Sequence, residues 1–360
     1  MTVNRQDGFR SMTAGFLLWG AAACTTAPAV PRAETVAVSP MAETASVATL
    51  NADAADDPAI WAAPGGGTAM LGGRAVQGFI AGTDKKAGLY IYGLDGAQLQ
   101  FLPEGLLNNV DLRTVRIGAG DQVLIGASDR GRMGAAFYLF DPAAGGADNR
   151  VRPAGFVKSD VVEPYGFCMG RLAGALHAVL IGKDGQARIY RLDVQPSGVS
   201  GTETARFAVG SQAEGCAVDE AGGALYVGEE LVGLWRYPLA DPASRTLVEP
   251  VGKGRLVADV EGVAILADGA RRFALVSSQG DSAFAVWRID GPEPVYAGRF
   301  SVAASGAIDA VTGTDGIDAL GGAVGDFPDG LVVVQDDVNE GGAQNFKLID
   351  WREIRRALGL

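Results

Sequence analysis

The sequence predicts an all-β chain folded as a six-bladed β-propeller. Three observations carry that expectation. A strand-like phrase built on a charged turn returns six times: "AGTDKKAGLYIYGLDG", "GASDRGRMGAAFYLFDP", "IGKDGQARIYRLD", "VGEELVGLWRYPLAD", "SSQGDSAFAVWRIDG" and "VQDDVNEGGAQNFKLIDW". Anchored on Tyr90, Tyr138, Ile189, Trp235, Val286 and Lys347, the phrases are spaced by 48, 51, 46, 51 and 61 residues, near the roughly 40–50 residues of a propeller blade. Finally, no segment between residues 50 and 345 shows sustained helical periodicity, and 52 glycines among 360 residues suit short strands joined by turns.

Taken from the N-terminus, Arg5 and Arg10 precede the apolar run "MTAGFLLWGAAA" (12–23), followed by small residues at Ala21–Ala23 and Ala27–Ala29. This reads as an export signal over residues 1–29. Export to the periplasm or the medium is expected, with Cys24 as a lipid-bearing cysteine of an outer-membrane lipoprotein in the alternative. The run is too short to span a bilayer, and no other stretch approaches about 20 apolar residues. Residues 30–50 are a linker or an outer strand that closes the ring, and the propeller occupies residues 51–360. Cys168 and Cys216 both sit in apolar strand patterns, which favours two buried thiols over a bridge. "WREIRRALGL" at the C-terminus is the one helix-like piece.

A second series precedes the repeated phrase: "DDPAIW", "NNVDLRTV", "EPYGFCM", "AEGCAVD", "ADVEGVAIL" and "TDGIDAL". In a propeller the first strand of each blade lines the central channel, so equivalent positions fall on a ring. That ring carries Asp57, Asp111, Tyr165, Glu214, Asp259 with Glu261, and Asp315 with Asp318. The turns of the repeated phrase supply Lys85/Lys86, Asp129/Arg130, Lys183/Asp184, Glu229/Glu230, Gln279/Asp281 and Asp336/Asp337. Any one acidic turn is ordinary solvated turn chemistry. Carboxylates crowded around one narrow channel repel one another unless cations neutralise them. Hard oxygen donors of this kind suit Ca²⁺, which takes six to eight of them.

The remaining composition excludes several chemistries. A formal net charge of −12 argues against nucleic acid as a partner. His177 is the sole histidine and lies in the apolar strand "ALHAVLI", which removes a Ser-His-Asp triad, a phosphohistidine mechanism and a histidine-rich zinc site. "GAGDQVLIG" and "PGGGTAMLGG" lack the context of nucleotide loops and read as turns. Carboxylate, lysine, arginine and tyrosine chemistry organised by metal is what is left.

The motifs "DDPAIW", "DKKAGLYIY", "LNNVDLR", "YGFC", "GKDG", "SQAEGCAVDE", "LYVGEE", "DVEGV", "SSQGDS", "TDGIDAL" and "QNFK" with Trp351 occur in an order that resembles the β-propeller phytases from about residue 50 to 355. The resemblance implies a six-bladed propeller that binds several calcium ions and hydrolyses phosphomonoesters of inositol hexakisphosphate. It implies structural calcium positions at Asp57, Asp111, Gln279, Asp309 and Asn339. It further implies a calcium cluster at the catalytic face, held by Glu214, Glu229, Asp259, Glu261 and Asp315. Lys85, Lys86, Arg130 and Lys183 match phosphate-holding cations, and Tyr165 a further member of the site. The chain departs from the family at Asp84, where Asn is usual, and at Asp184, which replaces Glu. Pro164 precedes Tyr165, and the segment 335–347 is shortened.

Such a site would act through metal-assisted attack of water on a phosphoryl group, with Arg130 and the lysines offsetting charge on the phosphate. A monomer is expected. Two other classes compete: a calcium-dependent propeller lactonase or esterase, against which the cationic set argues, and a noncatalytic binding propeller, which would be expected to lose acids that this chain keeps.

Overall fold

Short β-branched and aromatic runs cut by glycine and acidic turns fold into antiparallel meanders, and the computed structural model is an all-β propeller. It describes Met1, residues 31–50 and residues 53–360. The chain divides into Met1–Val30 and Pro31–Leu360, and every strand of the propeller belongs to the second unit. The expected export signal and Cys24 lie, Met1 apart, outside the described residues.

Each meander opens with its innermost strand: Ala55–Ala62, Leu107–Ile117, Pro164–Leu172, Ala213–Asp219, Val260–Asp268 and Ile317–Gly321. These strands touch in that order and the last returns to the first, closing a ring around a channel cavity of about 570 Å³. Among the described residues, three sheets are four-stranded and one is five-stranded. Another is eight-stranded, because two meanders join through parallel pairing at Gly155 and Val199. A hairpin of Ala69–Leu71 and Arg74–Val76 stands apart.

Large side chains fill the spaces between meanders. Trp61, Phe79 and Phe140 pack with ring centroids 5.1, 5.6 and 5.5 Å apart. Fully burying an apolar side chain of this size contributes about 1.5–3 kcal/mol. The N-terminal segment wraps onto the same body. Val36–Val38 pairs parallel with Val295–Val302, and Ala42–Glu43 pairs antiparallel with Asn345–Asp350. The C-terminal helix, Trp351–Leu358, is capped by Asp350, whose side chain accepts the Arg352 N–H at 2.8 Å.

Two features of the inner strands place the site. Four of them open with a shift of register: between Ala55 and Pro58, Pro164 and Phe167, Ala213 and Cys216, and Val260 and Val263. Such bulges break the alternation of side chains and re-aim them. Three of the four also carry a glycine next to a site residue, Gly166, Gly215 and Gly262, where the neighbouring backbone closes in. A Cβ on Gly166 would stand 2.2 Å from the Glu214 carbonyl, and one on Gly215 would stand 2.2 Å from that of Glu261.

Cys168 and Cys216 form a disulfide, with Cα atoms 5.7 Å apart. This corrects the expectation of two buried thiols. The two cysteines lie on adjacent inner strands, a proximity that closes only in the assembled ring and leaves no trace in either strand's local pattern.

Candidate active site

Bulged strand starts and inter-strand turns meet at one mouth of the channel. Tyr165, Glu214, Asp259, Glu261 and Asp315 come from the inner strands and the segments leading into them. Lys85, Glu230 and Gln279 come from turns. Together with Asp53, Gln212 and Asp337 they line a cavity of about 470 Å³.

At its centre, Glu214, Glu230 and Glu261 are buried and each presents a carboxylate oxygen within 4.8 Å of the others. Burial raises Glu261 well above the usual carboxylate range, and Glu214 raises it further. Burial likewise raises Glu214, although Lys85 pulls the other way. Glu230 is pushed up to about 7 by burial, with Asp259 and Asp315 adding to it. Asp56 and Asp315 also rise to about 7, chiefly through burial. Against these acids stands one buried cation. Lys85 Nζ lies 2.6 Å from Asp53 Oδ1, 3.2 Å from Asp56 Oδ1 and 2.8 Å from Asp315 Oδ2. Burial alone would favour its neutral form, but Asp56, Asp315, Glu214 and Asp53 hold it firmly protonated.

Neutral donors complete the walls. Asn108 Nδ2 donates to Glu214 Oε1 at 2.5 Å, and Gln279 Nε2 donates to Asp315 Oδ1. Even so, Asp56 Oδ2, Glu230 Oε1 and Glu261 Oε2 are buried without a hydrogen-bond partner among the described residues. Buried carboxylate oxygens are ordinarily paired or bound to metal. An oxygen-only donor set with orphaned lone pairs fits a hard divalent cation.

Beside the cavity lies a cationic rim. Arg130 Nη2 donates to the Lys85 carbonyl at 2.7 Å, and Lys183 Nζ sits 5.2 Å from the centre of the Tyr165 ring. Gln212 Nε2 donates to the Tyr165 hydroxyl at 3.5 Å. Burial and the nearby Glu214, Glu261 and Glu230 carboxylates keep that phenol protonated. Lys86 is exposed and contributes its backbone N–H to Asp84 Oδ1 at 2.9 Å, outside the cavity lining.

Several expected residues stand elsewhere. Glu229 is buried on the far side of its strand, where it accepts from Ser211 Oγ and Trp235 Nε1, each at 2.6 Å. Its neighbour Glu230, the first residue past the end of that strand, lies in the turn and takes the cavity position. Asp57 accepts the Val110 N–H at 3.0 Å and faces the channel, while Asp56 reaches Lys85. Asp111 accepts the Met169 N–H at 2.7 Å and pairs with Arg113 at 2.5 Å. Its oxygens are thus occupied by protein donors. Asp309 and Asn339 surround a lysine: Lys347 Nζ lies 2.5 Å from Asp309 Oδ1 and 3.1 Å from Asn339 Oδ1. Of the five residues expected at structural calcium positions, Asp309 and Asn339 thus have a side-chain ammonium between them. Glu230 and Asp56 were each visible in the sequence only as half of an acidic pair, "EE" and "DD". Asn108 and Gln212 carried no signal of their own.

The sequence model of the family described as Phytase matches residues 9–360. The chain belongs to the phytase family. This phytase is 32% identical over 364 residues to the 3-phytase of Bacillus subtilis (strain 168), with 97% of this chain and 92% of that one covered. Among solved structures it is similar to the GH43_1 enzyme from Xanthomonas citri complexed with xylotriose, at 15% identity and a TM-score of 0.41, covering 65% of this chain and 85% of that one. The Dos1 propeller is similar at 14% identity and a TM-score of 0.41, covering 78% of the phytase and 66% of its own chain.

Proposed function

We propose that this phytase, a phosphoric monoester hydrolase acting on inositol hexakisphosphate, works with calcium held in the acidic cavity. One observation carries the reading: Glu214, Glu230 and Glu261 converge within 4.8 Å with buried oxygens left unpartnered. Asp56, Asp259 and Asp315 would extend the ligand set. When bound, calcium would neutralise these acids, polarise the phosphoryl oxygens and raise the acidity of an attacking water.

The chain's own groups supply the rest. Lys85, kept protonated by Asp53, Asp56 and Asp315, provides a fixed positive charge at the cavity wall. Arg130 and Lys183 would grip phosphate at the rim, Arg130 through its planar fork and Lys183 as a point charge. Tyr165, anchored by Gln212, would donate a hydrogen bond from its hydroxyl to a phosphoryl oxygen. Asn108 holds the Glu214 carboxylate in place. A substrate carrying several phosphates can occupy rim and cavity together, so that one group orients another. These cations argue against the lactonase or esterase alternative, whose substrates need no such rim.

The propeller is read as six-bladed. Support comes from the closed cycle of inner strands and from the eight-stranded sheet, whose halves are separate antiparallel meanders joined at one residue pair. Export remains part of the reading, on the strength of Arg5, Arg10 and the apolar run at 12–23; Cys24 is its lipid-bearing variant. Among the described residues no helix is long and apolar enough to cross a membrane. A monomer is the working state.

Release of inorganic phosphate from inositol hexakisphosphate, assayed in calcium, after chelation and after calcium is restored, tests the proposal. Activity lost and regained supports it; full activity in chelator overturns the calcium dependence.

A further inference from the structure

One carboxylate outside the acidic cavity sits where a substrate phosphate would be held. Glu163 Oε1 lies 3.9 Å from Arg130 Nη1 and 3.8 Å from Lys183 Nζ. The same oxygen thus faces both rim cations, at distances longer than a hydrogen bond. Its backbone is fixed: the Glu163 φ is 46°, in the left-handed region, and its carbonyl accepts the Lys183 N–H at 3.2 Å. The side chain is not fixed, being 43% exposed. Within Arg130, the Nε–H is buried without a partner among the described residues. Neither Glu163 contact is a hydrogen bond, so the donors of Arg130 Nη1 and Lys183 Nζ are not consumed by Glu163.

We infer that Glu163 is a built-in anion filling the phosphate subsite between Arg130 and Lys183, and that a substrate phosphate must displace it. The inference rests on the phosphate-holding role of those two cations. A carboxylate brings one charge and touches the pair through one oxygen. A phosphomonoester brings nearly two charges and three acceptor oxygens, so it can engage Arg130 and Lys183 through separate oxygens and replaces Glu163. Singly charged anions gain little over the resident carboxylate. Glu163 thereby sets a threshold that favours dianionic phosphoryl groups, and it is a specificity determinant of this site.

The test measures KM for inositol hexakisphosphate and the inhibition constant of inorganic phosphate for Glu163→Gln. Glu163→Asn, which tolerates the left-handed backbone, serves as a second variant. Both constants are expected to fall about threefold to tenfold, as for loss of two weak ion pairs. Tightening should be smaller when Glu163→Gln is made in a Lys183→Gln background. Constants that stay the same or rise in both variants overturn the inference. Arg130→Gln and Lys183→Gln separate it from the reading beneath it. If both raise the phosphate constant while Glu163→Gln changes nothing, only the Glu163 inference falls. If neither raises it, the phosphate-holding role fails and the inference falls with it.

Discussion

Asp111 Oδ2 accepts the Met169 N–H at 2.7 Å across the boundary between two neighbouring inner strands. The arrangement recurs: Asp57 Oδ2 accepts the Val110 N–H at 3.0 Å, and Asp318 Oδ2 accepts that of Ile60 at 2.7 Å. An innermost strand is a sheet edge with unpaired donors, and an acid from the adjacent strand satisfies one of them. These aspartates clasp the ring. Asp111→Ala, which leaves the Met169 N–H and Arg113 without their partner, should cost about 1–3 kcal/mol of stability. Urea unfolding in calcium buffer checks this; an unchanged midpoint and slope would remove Asp111 from the clasp.

Glu229 is a strut. Its two oxygens bind Ser211 and Trp235, and the adjacent Gln212 faces the cavity. Glu229→Gln keeps one acceptor where two are needed, so it should lose about 1–3 kcal/mol while the folded protein retains its calcium affinity. Loss of calcium binding with stability intact would return Glu229 to the acidic cluster.

Proton release should accompany calcium binding. Asp56, Glu230 and Asp315 are raised to about 7, each principally by burial, so without cation they hold protons below that pH. Cation binding requires them ionised. Affinity should therefore weaken as pH falls through about 7 and level off above it. The same groups act on stability in chelator. Their folded values lie above their unfolded ones, so stability declines as pH rises from the ordinary carboxylate range to about 7. Calorimetry in two buffers of different ionisation enthalpy measures the released protons. Heats independent of buffer at mildly acidic pH would contradict the coupling.

Lys347 ties the N-terminal segment to the last sheet. Its Nζ lies 2.5 Å from both Glu43 Oε2 and Asp309 Oδ1, and 3.3 Å from Asp336 Oδ2. Lys347→Met leaves several acids unpaired, two of them buried or nearly so, and should cost about 3–5 kcal/mol. Thermal unfolding reads this; a variant as stable as the parent would show the cluster to be hydrated without its lysine.

The blade rhythm was legible because period and turn chemistry are local properties. The set of converging acids was legible by position but not by residue. Asp56 against Asp57, and Glu229 against Glu230, are one-residue choices. They fall at bulged strand starts or turns, where alternation no longer tells which side chain faces in. Asp56 follows the register shift after Ala55, and Glu230 follows the end of its strand at Glu229. The Cys168–Cys216 bridge and the Lys347 cage depend on contacts between strands distant in sequence. No local pattern encodes those distances.

Everything turns on whether Glu214, Glu230 and Glu261 act as one cation site. Calcium titration of Glu230→Gln by calorimetry, beside the parent protein, tests that most directly. The expected result is an affinity at least about tenfold weaker in a variant that still folds. Equal affinity in the two proteins would contradict it.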